Sequence, residues 1–193
     1  GEMELAGISA GGHRPMFLVR QIEEFNPQYI HVGDESAIDE VFDRLPPGRW
    51  GESSAGPEGL IQIAREAPAD LVMVATVGFT GLPPALAAIE AGRSLAIANK
   101  EVLVCGGDLI MPAAREAGVH IIPVDSEHNA IQQCLEASPG SPVRRLILTC
   151  SGGPYRHAPR EEIDSAGPEK TLNHPTWDMG AKITVDSATL MNK

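Results

Sequence analysis

Residues 70–98 read DLVMVATVGFTGLPPALAAIEAGRSLAIA, and this stretch decides the fold class. The apolar run at 70–78 is typical of a strand buried on both faces. The segment at 82–92 is predicted as a helix, with prolines in its first turn and Gly92 after its end. The run SLAIA at 94–98 is predicted as the next strand. A strand, a helix and a strand joined by short connections indicate a right-handed crossover between parallel strands.

The same alternation extends over most of the chain. Further strands are predicted at 2–10, 28–34, 119–124 and 144–154, and further helices at 14–25, 35–45, 55–67, 100–118 and 126–137. In the first helix, the spacing of Phe17, Leu18, Ile22 and Phe25 places these side chains near one face. We therefore expect an α/β fold with a mainly parallel sheet and helices on both faces. Because the rhythm changes near residue 124, we predict a first domain over 1–124 and a second, α+β domain over 125–193.

Composition narrows the classes of partner. The net charge of −11 argues against nucleic acid, whose phosphates require clustered lysine and arginine. The three cysteines lack zinc-ligand spacing and suggest a reducing compartment. No stretch reads as a membrane span or a signal peptide. The chain opens on a strand-like run and closes inside a helical pattern, so we expect it to be a central piece of a longer protein.

Several short polar or glycine-containing stretches follow predicted strands. They are SAGGH (9–13), ATVGFTG (75–81), ANKE (98–101), VDSE (124–127) and SGGP (151–154). Ligands of open parallel sheets bind at the carboxyl ends of the strands, so the ends of the first four are expected to meet at one crevice. Ordinary turns remain the alternative for the glycine pairs. Lys100 either contacts a substrate oxygen or is a solvated lysine at a helix start, where its charge is disfavoured.

The acidic pair Asp125 and Glu127 suggests a cation site. Carboxylates are hard ligands that suit Mg²⁺ or Mn²⁺, completed by water and substrate oxygens. The alternative is a helix N-cap followed by a first-turn acid. Trp177 lies in the polar stretch NHPTWDMG (173–180), which suits either a lid over a ligand or a packed loop. The stretch VDSATLMNK (185–193) suits a phosphate or polyol site or a capped helix.

The order of these motifs carries more information than any one of them. ANKE, PVDSEHNAI (123–131), SGGP, HPTWDMG and VDSATLMNK together resemble the 1-deoxy-D-xylulose 5-phosphate reductoisomerase family over essentially the whole chain. The resemblance implies a Rossmann-like first domain, NADPH, a divalent cation (Mg²⁺ or Mn²⁺) and a sugar-phosphate substrate. It also implies rearrangement and reduction of 1-deoxy-D-xylulose 5-phosphate in isoprenoid biosynthesis, by a cytoplasmic bacterial enzyme that forms homodimers.

The resemblance also assigns residues by motif. It implies metal ligation by Asp125 and Glu127 and catalytic roles for Lys100, Asp125, Glu127 and His174. Substrate contacts are implied for Lys100, Ser126, Glu127, Ser151, His174, Ser187, Asn192 and Lys193. NADPH contacts are implied for Gly11, Gly12, His13, Asn99, Glu101 and Gly180, and a mobile flap for Trp177 and Met179.

Three departures from the family pattern concern missing or altered parts. The family's glycine-rich loop would precede Gly1, and its third metal carboxylate would follow Lys193, as would its C-terminal helical domain. The turn after the first predicted strand reads AGGH where many members carry a Lys-Asn pair after Ala-Gly. We therefore expect this piece alone to turn over little or no substrate.

Two other functions compete with this interpretation. One is another NAD(P)-dependent dehydrogenase without isomerisation, which would need no metal. The other is a truncated, non-catalytic ligand-binding module.

Overall fold

A computed structural model describes residues 3–46 and 51–187. The chain forms two compact units, Gly1–Ile122 and Pro123–Lys193. Among the described residues, no helix is both long and apolar enough to cross a bilayer. The functional roles that we predict for the two halves of the chain stay predictions.

The first unit alternates strands and helices, as the apolar pattern predicts. In chain order its elements are β1 (Gly7–Ala10), α1 (Pro15–Phe25), β2 (Tyr29–Val32), α2 (Ile38–Phe42), β3 (Glu52–Ala55), α3 (Gly56–Glu66), β4 (Leu71–Val74), α4 (Leu82–Glu90), β5 (Ser94–Ile97), α5 (Glu101–Ala117) and β6 (Ile121–Pro123), the last of which ends at the start of the second unit. Strand β3 lies in a segment for which we predicted no strand.

The strands form two sheets, each with three strands. One has the order β1-β2-β3 and the other β4-β5-β6. In the first sheet both pairs are parallel, with Ile8 opposite Ile30 and Ile30 opposite Ser53. In the second sheet β4 and β5 are also parallel. The α/β class with parallel strands and helices on both faces is confirmed, although the single sheet that we expected is divided into two.

Helices cover both faces of the first sheet. Ile30 and Val32 of β2 pack with Leu18 and Ile22 of α1 in one buried cluster. His31 points to the opposite face, since successive side chains of a strand alternate, and there it contacts Gly56 at the start of α3. The predicted inward face of α1 is correct for Leu18 and Ile22, whereas Phe17 and Phe25 are exposed.

The second sheet has a separate core. Leu95 and Ile97 of β5 pack with Ile89 of α4 and Ile110 of α5. Removing each such side chain from water stabilises the fold by about 1.5–3 kcal/mol. Strand β4 is buried on only one face, because Leu71 and Met73 are 42% and 62% exposed. Our prediction of burial on both faces is wrong for these two residues, since the core packs only against the face that carries Val74.

Local signals set the helix ends. Pro15, Pro57 and Pro83 lie in the first turns of α1, α3 and α4, where a missing N–H leaves no helical hydrogen bond unmade. Helix α5 ends at Gly118, whose φ of 67° lets its N–H reach back to the carbonyl of Arg115.

The second unit is built from short helices. After α6 (Ser126–Glu136) come a 3-10 turn (Gly153–Tyr155), α7 (Arg160–Asp164), α8 (Pro168–Thr171) and α9 (Ala181–Ser187). The predicted strand at 144–154 is wrong, since residues 141–152 are neither helix nor strand. Leu146 and Ile147 are 60% and 67% exposed, so the apolar run that suggested a strand has no neighbouring strand to pair with among the described residues.

Candidate active site

The turn after β1 has the shape of a ligand cradle. Gly12 has a φ of 92°, a conformation that glycine adopts without strain. A Cβ at Gly12 would lie 3.1 Å from the Cβ atoms of Ala37 and Asp34, so a side chain would crowd the turn. The exposed side chain of His13 follows directly.

This turn opens on a cavity of about 780 Å³ in the first unit. Gly11 and His13 line it on one side, and Thr76 and Val77, beyond the end of β4, line it on the other. The cavity therefore joins the ends of β1 and β4, two of the four strand ends that we expected to meet.

Asn99 connects a third strand end to the same loop. The residue follows β5, is 4% exposed, and donates from Nδ2 to the carbonyls of Thr76 and Gly78, the latter at 2.5 Å. Its Oδ1 atom is buried and has no hydrogen-bond partner among the described residues. A buried acceptor without a donor is costly, so this oxygen is suited to receive a donor from a ligand.

Lys100 and Glu101 lie at the beginning of α5. Lys100 occupies the N-cap position, and its carbonyl accepts hydrogen bonds from the N–H groups of Leu103 and Val104. Glu101 is the acidic residue of the first turn, where its charge favours the helix dipole. Their predicted contacts with substrate and NADPH stay predictions.

The structure adds a polar pair that the sequence did not reveal. His31 is 2% exposed; its Nδ1 lies 2.8 Å from Ser9 Oγ, and its Nε2 lies 2.8 Å from the carbonyl oxygen of Gly56. Burial lowers the pKa of His31, only partly opposed by the hydrogen bond to Gly56. Both Ser9 and His31 line the cavity. The two residues lie opposite each other in β1 and β2, and this pairing could have been predicted only from the register between the two strands.

Asp34 adds negative charge close to the turn after β1. Its Oδ1 accepts hydrogen bonds from the hydroxyl and amide of Ser36, at 2.7 and 2.9 Å. These bonds hold the pKa of Asp34 below its usual value, with a smaller contribution from the charge of His13.

In the second unit, the acidic pair lies at the start of α6. Asp125 Oδ1 lies 3.1 Å from Nδ1 of His128, and Ser126 donates from Oγ to Glu127 Oε2 at 2.7 Å. Asp125 occupies the N-cap position of α6 and Glu127 lies in its first turn, as in the alternative to a cation site, although the Asp125 side chain makes no capping hydrogen bond. Asn129 donates to the carbonyl of Pro123 at 2.9 Å and ties the helix to the end of β6.

His174 brings together two further predicted site residues. The imidazole is 8% exposed, and its Nδ1 accepts hydrogen bonds from the backbone N–H groups of Thr176 and Trp177. Its Nε2 lies 3.4 Å from Ser151 Oγ. Trp177 itself is 63% exposed, so the alternative of a tryptophan that fills a core is wrong.

Thr184 anchors the end of the stretch at 173–180, which carries the predicted flap residues Trp177 and Met179. This residue is 1% exposed and donates from Oγ1 to the carbonyls of Met179 and Gly180, at 3.4 and 2.9 Å. The Ser187 hydroxyl donates to the carbonyl of Thr184 at 2.8 Å, which leaves its oxygen lone pairs for a ligand. The predicted substrate residues Asn192 and Lys193 lie outside the described residues.

Two family models match the chain. The model described as 1-deoxy-D-xylulose 5-phosphate reductoisomerase matches residues 1–107, which is more than half of the chain. The model of the C-terminal domain of the same enzyme matches residues 121–193.

Curated relatives agree with the family models. The 1-deoxy-D-xylulose 5-phosphate reductoisomerase of Chlorobium phaeovibrioides is 48% identical over 184 residues, which are 95% of this chain and 48% of that protein. The enzyme of the same name from Gloeobacter violaceus is 48% identical over 195 residues, covering 98% of this chain and 48% of that protein. This chain thus spans about half the length of these relatives.

Solved structures of the same enzyme share the fold. The 1-deoxy-D-xylulose 5-phosphate reductoisomerase of Zymomonas mobilis, solved with NADPH, is 38% identical with a TM-score of 0.84, over 98% of this chain and 48% of that one. A DOX-P reductoisomerase in complex with NADPH, fosmidomycin and magnesium is 36% identical with a TM-score of 0.82, over 96% of this chain and 48% of that one. The chain therefore belongs to the 1-deoxy-D-xylulose 5-phosphate reductoisomerase family.

Proposed function

We propose that this chain is part of an NADPH-dependent enzyme that converts 1-deoxy-D-xylulose 5-phosphate to 2-C-methyl-D-erythritol 4-phosphate in isoprenoid biosynthesis. Membership of the family and the shared name of the curated relatives support the assignment. The observation that carries it is the arrangement of Asp125, Ser126 and Glu127 at the start of α6, in a chain that matches both family models.

The residues of the first unit fit a dinucleotide. Gly11 and Gly12 let the backbone approach a ligand closely, and Asn99 offers a buried oxygen that lacks a donor. When bound, NADPH supplies the hydride for the reduction. We assign its contacts to Gly11, Gly12, His13, Asn99, Glu101 and Gly180. The NADPH found in two solved structures of the family supports NADPH as the cofactor.

The acidic pair fits a hard divalent cation. Asp125 and Glu127 provide carboxylate oxygens, the ligand type that Mg²⁺ and Mn²⁺ prefer. Among the described residues, no group of three His, Cys, Asp or Glu side chains could hold a metal. The resemblance places a third carboxylate after Lys193, so Asp125 and Glu127 would be two of three protein ligands, completed by water or substrate oxygens. When bound, the cation withdraws electrons from a ketone oxygen.

The remaining assigned residues bind and enclose the substrate. We assign substrate contacts to Lys100, Ser126, Glu127, Ser151, Ser187, Asn192 and Lys193. His174, which the resemblance also places among the substrate residues, lies beside Ser151 and would act on the substrate through it. Phosphate binding far from the reacting carbons orients those carbons and lowers the barrier to reaction. Trp177 and Met179 belong to a lid that excludes water when it closes. The complete enzyme is proposed to be a homodimer in the bacterial cytoplasm, as the family resemblance implies.

Metal binding tests this proposal directly. Titration of the chain with Mn²⁺, followed by electron paramagnetic resonance, should give an affinity that falls by more than about tenfold in Asp125→Asn. Even residues that only support metal ligands typically contribute that much. Glu136→Gln, at the other end of α6, is the matched control and should bind Mn²⁺ as the wild type does. Equal affinity in wild type and Asp125→Asn would rule out the metal site.

Turnover provides the second test. A chain extended to the length of the relatives should oxidise NADPH when given 1-deoxy-D-xylulose 5-phosphate and Mn²⁺. The 193-residue chain should oxidise little or none under the same conditions. Omission of Mn²⁺ should abolish the reaction, and a reaction that persists without metal would favour a simple dehydrogenase.

A further inference from the structure

The hydrogen bonds around His174 determine which of its ring nitrogens carries the proton. The N–H groups of Thr176 and Trp177 lie 3.2 and 3.0 Å from Nδ1. A backbone N–H can only donate, so Nδ1 must present its lone pair. A neutral imidazole then carries its proton on Nε2. Pro175, between the ring and its two donors, restricts φ and favours this tight turn.

The same reasoning fixes the hydroxyl of Ser151. The Nε2–H of His174 points at Ser151 Oγ over 3.4 Å, and the N–H of Gly153 donates to the same oxygen at 3.3 Å. A hydroxyl has two lone pairs and one proton. Both lone pairs are therefore occupied from within the protein, and the proton remains for an outside partner. Ser151 is exposed, so a ligand can reach it.

We propose that His174 is a positioning residue, locked as the Nε2–H tautomer by the amides of Thr176 and Trp177, and that it makes Ser151 a dedicated donor to an anionic oxygen. The identification of that anion as the phosphate of the substrate rests on the proposed function. The hydrogen-bond arrangement itself does not.

This arrangement assigns His174 a task other than proton transfer. Its Nδ1 is occupied by two donors that cannot accept a proton, and its Nε2–H is directed at Ser151. His174 therefore acts on the ligand through Ser151.

The arrangement also links the lid to the anion site. Lifting the segment that carries Thr176 and Trp177 removes both donors from Nδ1 and releases the tautomer. Ser151 then loses its fixed orientation. Because such coupling is reciprocal, an anion bound at Ser151 favours the lid position in which Thr176 and Trp177 donate to His174.

Ring nitrogen spectroscopy tests the tautomer. In the ¹⁵N-labelled chain near pH 8, long-range proton–nitrogen correlations should show His174 with a protonated Nε2 and a bare Nδ1. The exposed His157 should show a mixture of tautomers and serves as the internal control. Thr176→Pro removes one of the two donors and should raise the Nδ1–H fraction of His174, whereas Thr176→Ala keeps the N–H and should leave that fraction unchanged. A mixture at His174 in the wild type would overturn the proposal.

A pair of substitutions at His174 tests the link to Ser151. The side-chain amide of His174→Gln can donate near the Nε2 position, whereas His174→Asn can accept near Nδ1 but is too short to reach Ser151. Inorganic phosphate is titrated and followed by the fluorescence of Trp177 in a Trp50→Phe background. We expect His174→Gln to retain phosphate affinity within about threefold, and His174→Asn and Ser151→Ala to lose about tenfold, the loss expected for one hydrogen bond to a charged group.

The outcomes separate this inference from the proposed function. Equal losses in His174→Gln and His174→Asn would indicate a merely structural histidine and overturn the inference. The two readouts are the tautomer of His174 and the affinity for inorganic phosphate, and neither requires turnover. Absence of reductoisomerase turnover in the extended chain would therefore leave both unaffected. Conversely, an active enzyme with a mixed tautomer at His174 would retain the function and refute the lock.

Discussion

The two units differ in what they bury. The first unit buries apolar side chains in two clusters, which include Leu18, Ile30, Leu95 and Ile110. In the described part of the second unit (residues 123–187), the buried residues are Gly153, His174, Thr184 and Ser187. Its larger apolar side chains at 146–148 are instead 43–67% exposed.

The apolar core that stabilises the protein therefore lies in the first unit, whereas the buried side chains in the described part of the second unit are polar. Buried apolar area is the main favourable contribution to folding, whereas a hydrogen bond contributes only about 0.5–1.5 kcal/mol net. The second unit buries its polar contacts around His174 and Thr184, next to the proposed substrate residues Ser151 and Ser187. We therefore expect the first unit to resist denaturants better than the second.

Removal of a core side chain from the first unit should have the largest effect. Ile110 is fully buried in α5, and Ile110→Ala should lower the free energy of unfolding by about 2–5 kcal/mol, because it leaves a cavity. Urea unfolding followed by circular dichroism measures the loss. A loss below about 1 kcal/mol would show that this core does not stabilise the first unit as the burial implies.

Two glycines provide a matched test of packing within the first unit. A Cβ at Gly81 would lie 2.6 Å from Thr76 Oγ1 and 2.7 Å from Val74 Cγ1, so Gly81→Ala should cost about 1–3 kcal/mol. A Cβ at Gly107, inside α5, meets no atom within 4 Å, and Gly107→Ala should stabilise by about 0.5–1 kcal/mol. Thermal unfolding of both variants compares them. The same sign for both would contradict the packing.

Acid should weaken the first unit through His31. Burial lowers the pKa of His31 in the folded state, so below about pH 6.5 the unfolded chain binds a proton that the folded chain excludes. The stabilisation is complete above that pH and is lost as the pH falls. Urea midpoints between pH 7.5 and 5.5 should drop less in His31→Gln, whose side chain does not titrate there. An identical pH dependence in both proteins would exclude His31 as the cause.

The smallest effect is expected in the second unit. Ile147 is 67% exposed, so Ile147→Ser should change the free energy of unfolding by less than about 0.5 kcal/mol. The protease sensitivity of the Ile147→Ser variant is measured and compared with that of the Ile110→Ala variant. A loss comparable to that of Ile110→Ala would show that residues 144–154 are packed in solution.

The sequence predicts the first unit well because local signals and packing agree there. Apolar runs became β4 and β5, and α4 carries prolines in its first turn and ends before Gly92, as expected. Strand β3 was missed because Glu52, Ser53 and Ser54 lack an apolar pattern, and pairing with β2 supplies the strand. The run at 144–154 has a strand pattern, but the described part of the chain offers it no partner strand, and a strand requires a partner.

For the candidate sites, the order of the motifs indicated the family, but it did not predict which side chains contact one another. Sequence order placed Asn99 at a strand end, but its contact with Thr76 depends on the parallel pairing of β4 and β5. The pairing of Ser151 with His174 spans 23 positions and depends on how the chain folds back. His31 lies in a predicted strand, but its contact with Ser9 depends on the register between β1 and β2.

The cavity of the first unit has a consequence for handling the protein. Strands β1 and β4 end their respective sheets and line opposite sides of that cavity, so within the described residues each presents backbone N–H and C=O groups that no neighbouring strand pairs. Such open edges recruit extended chains of any origin, including unfolded copies of the same protein. Concentrated solutions should therefore tend to aggregate, and a short apolar peptide that completes the hydrogen-bond ladder should act as a solubilising additive.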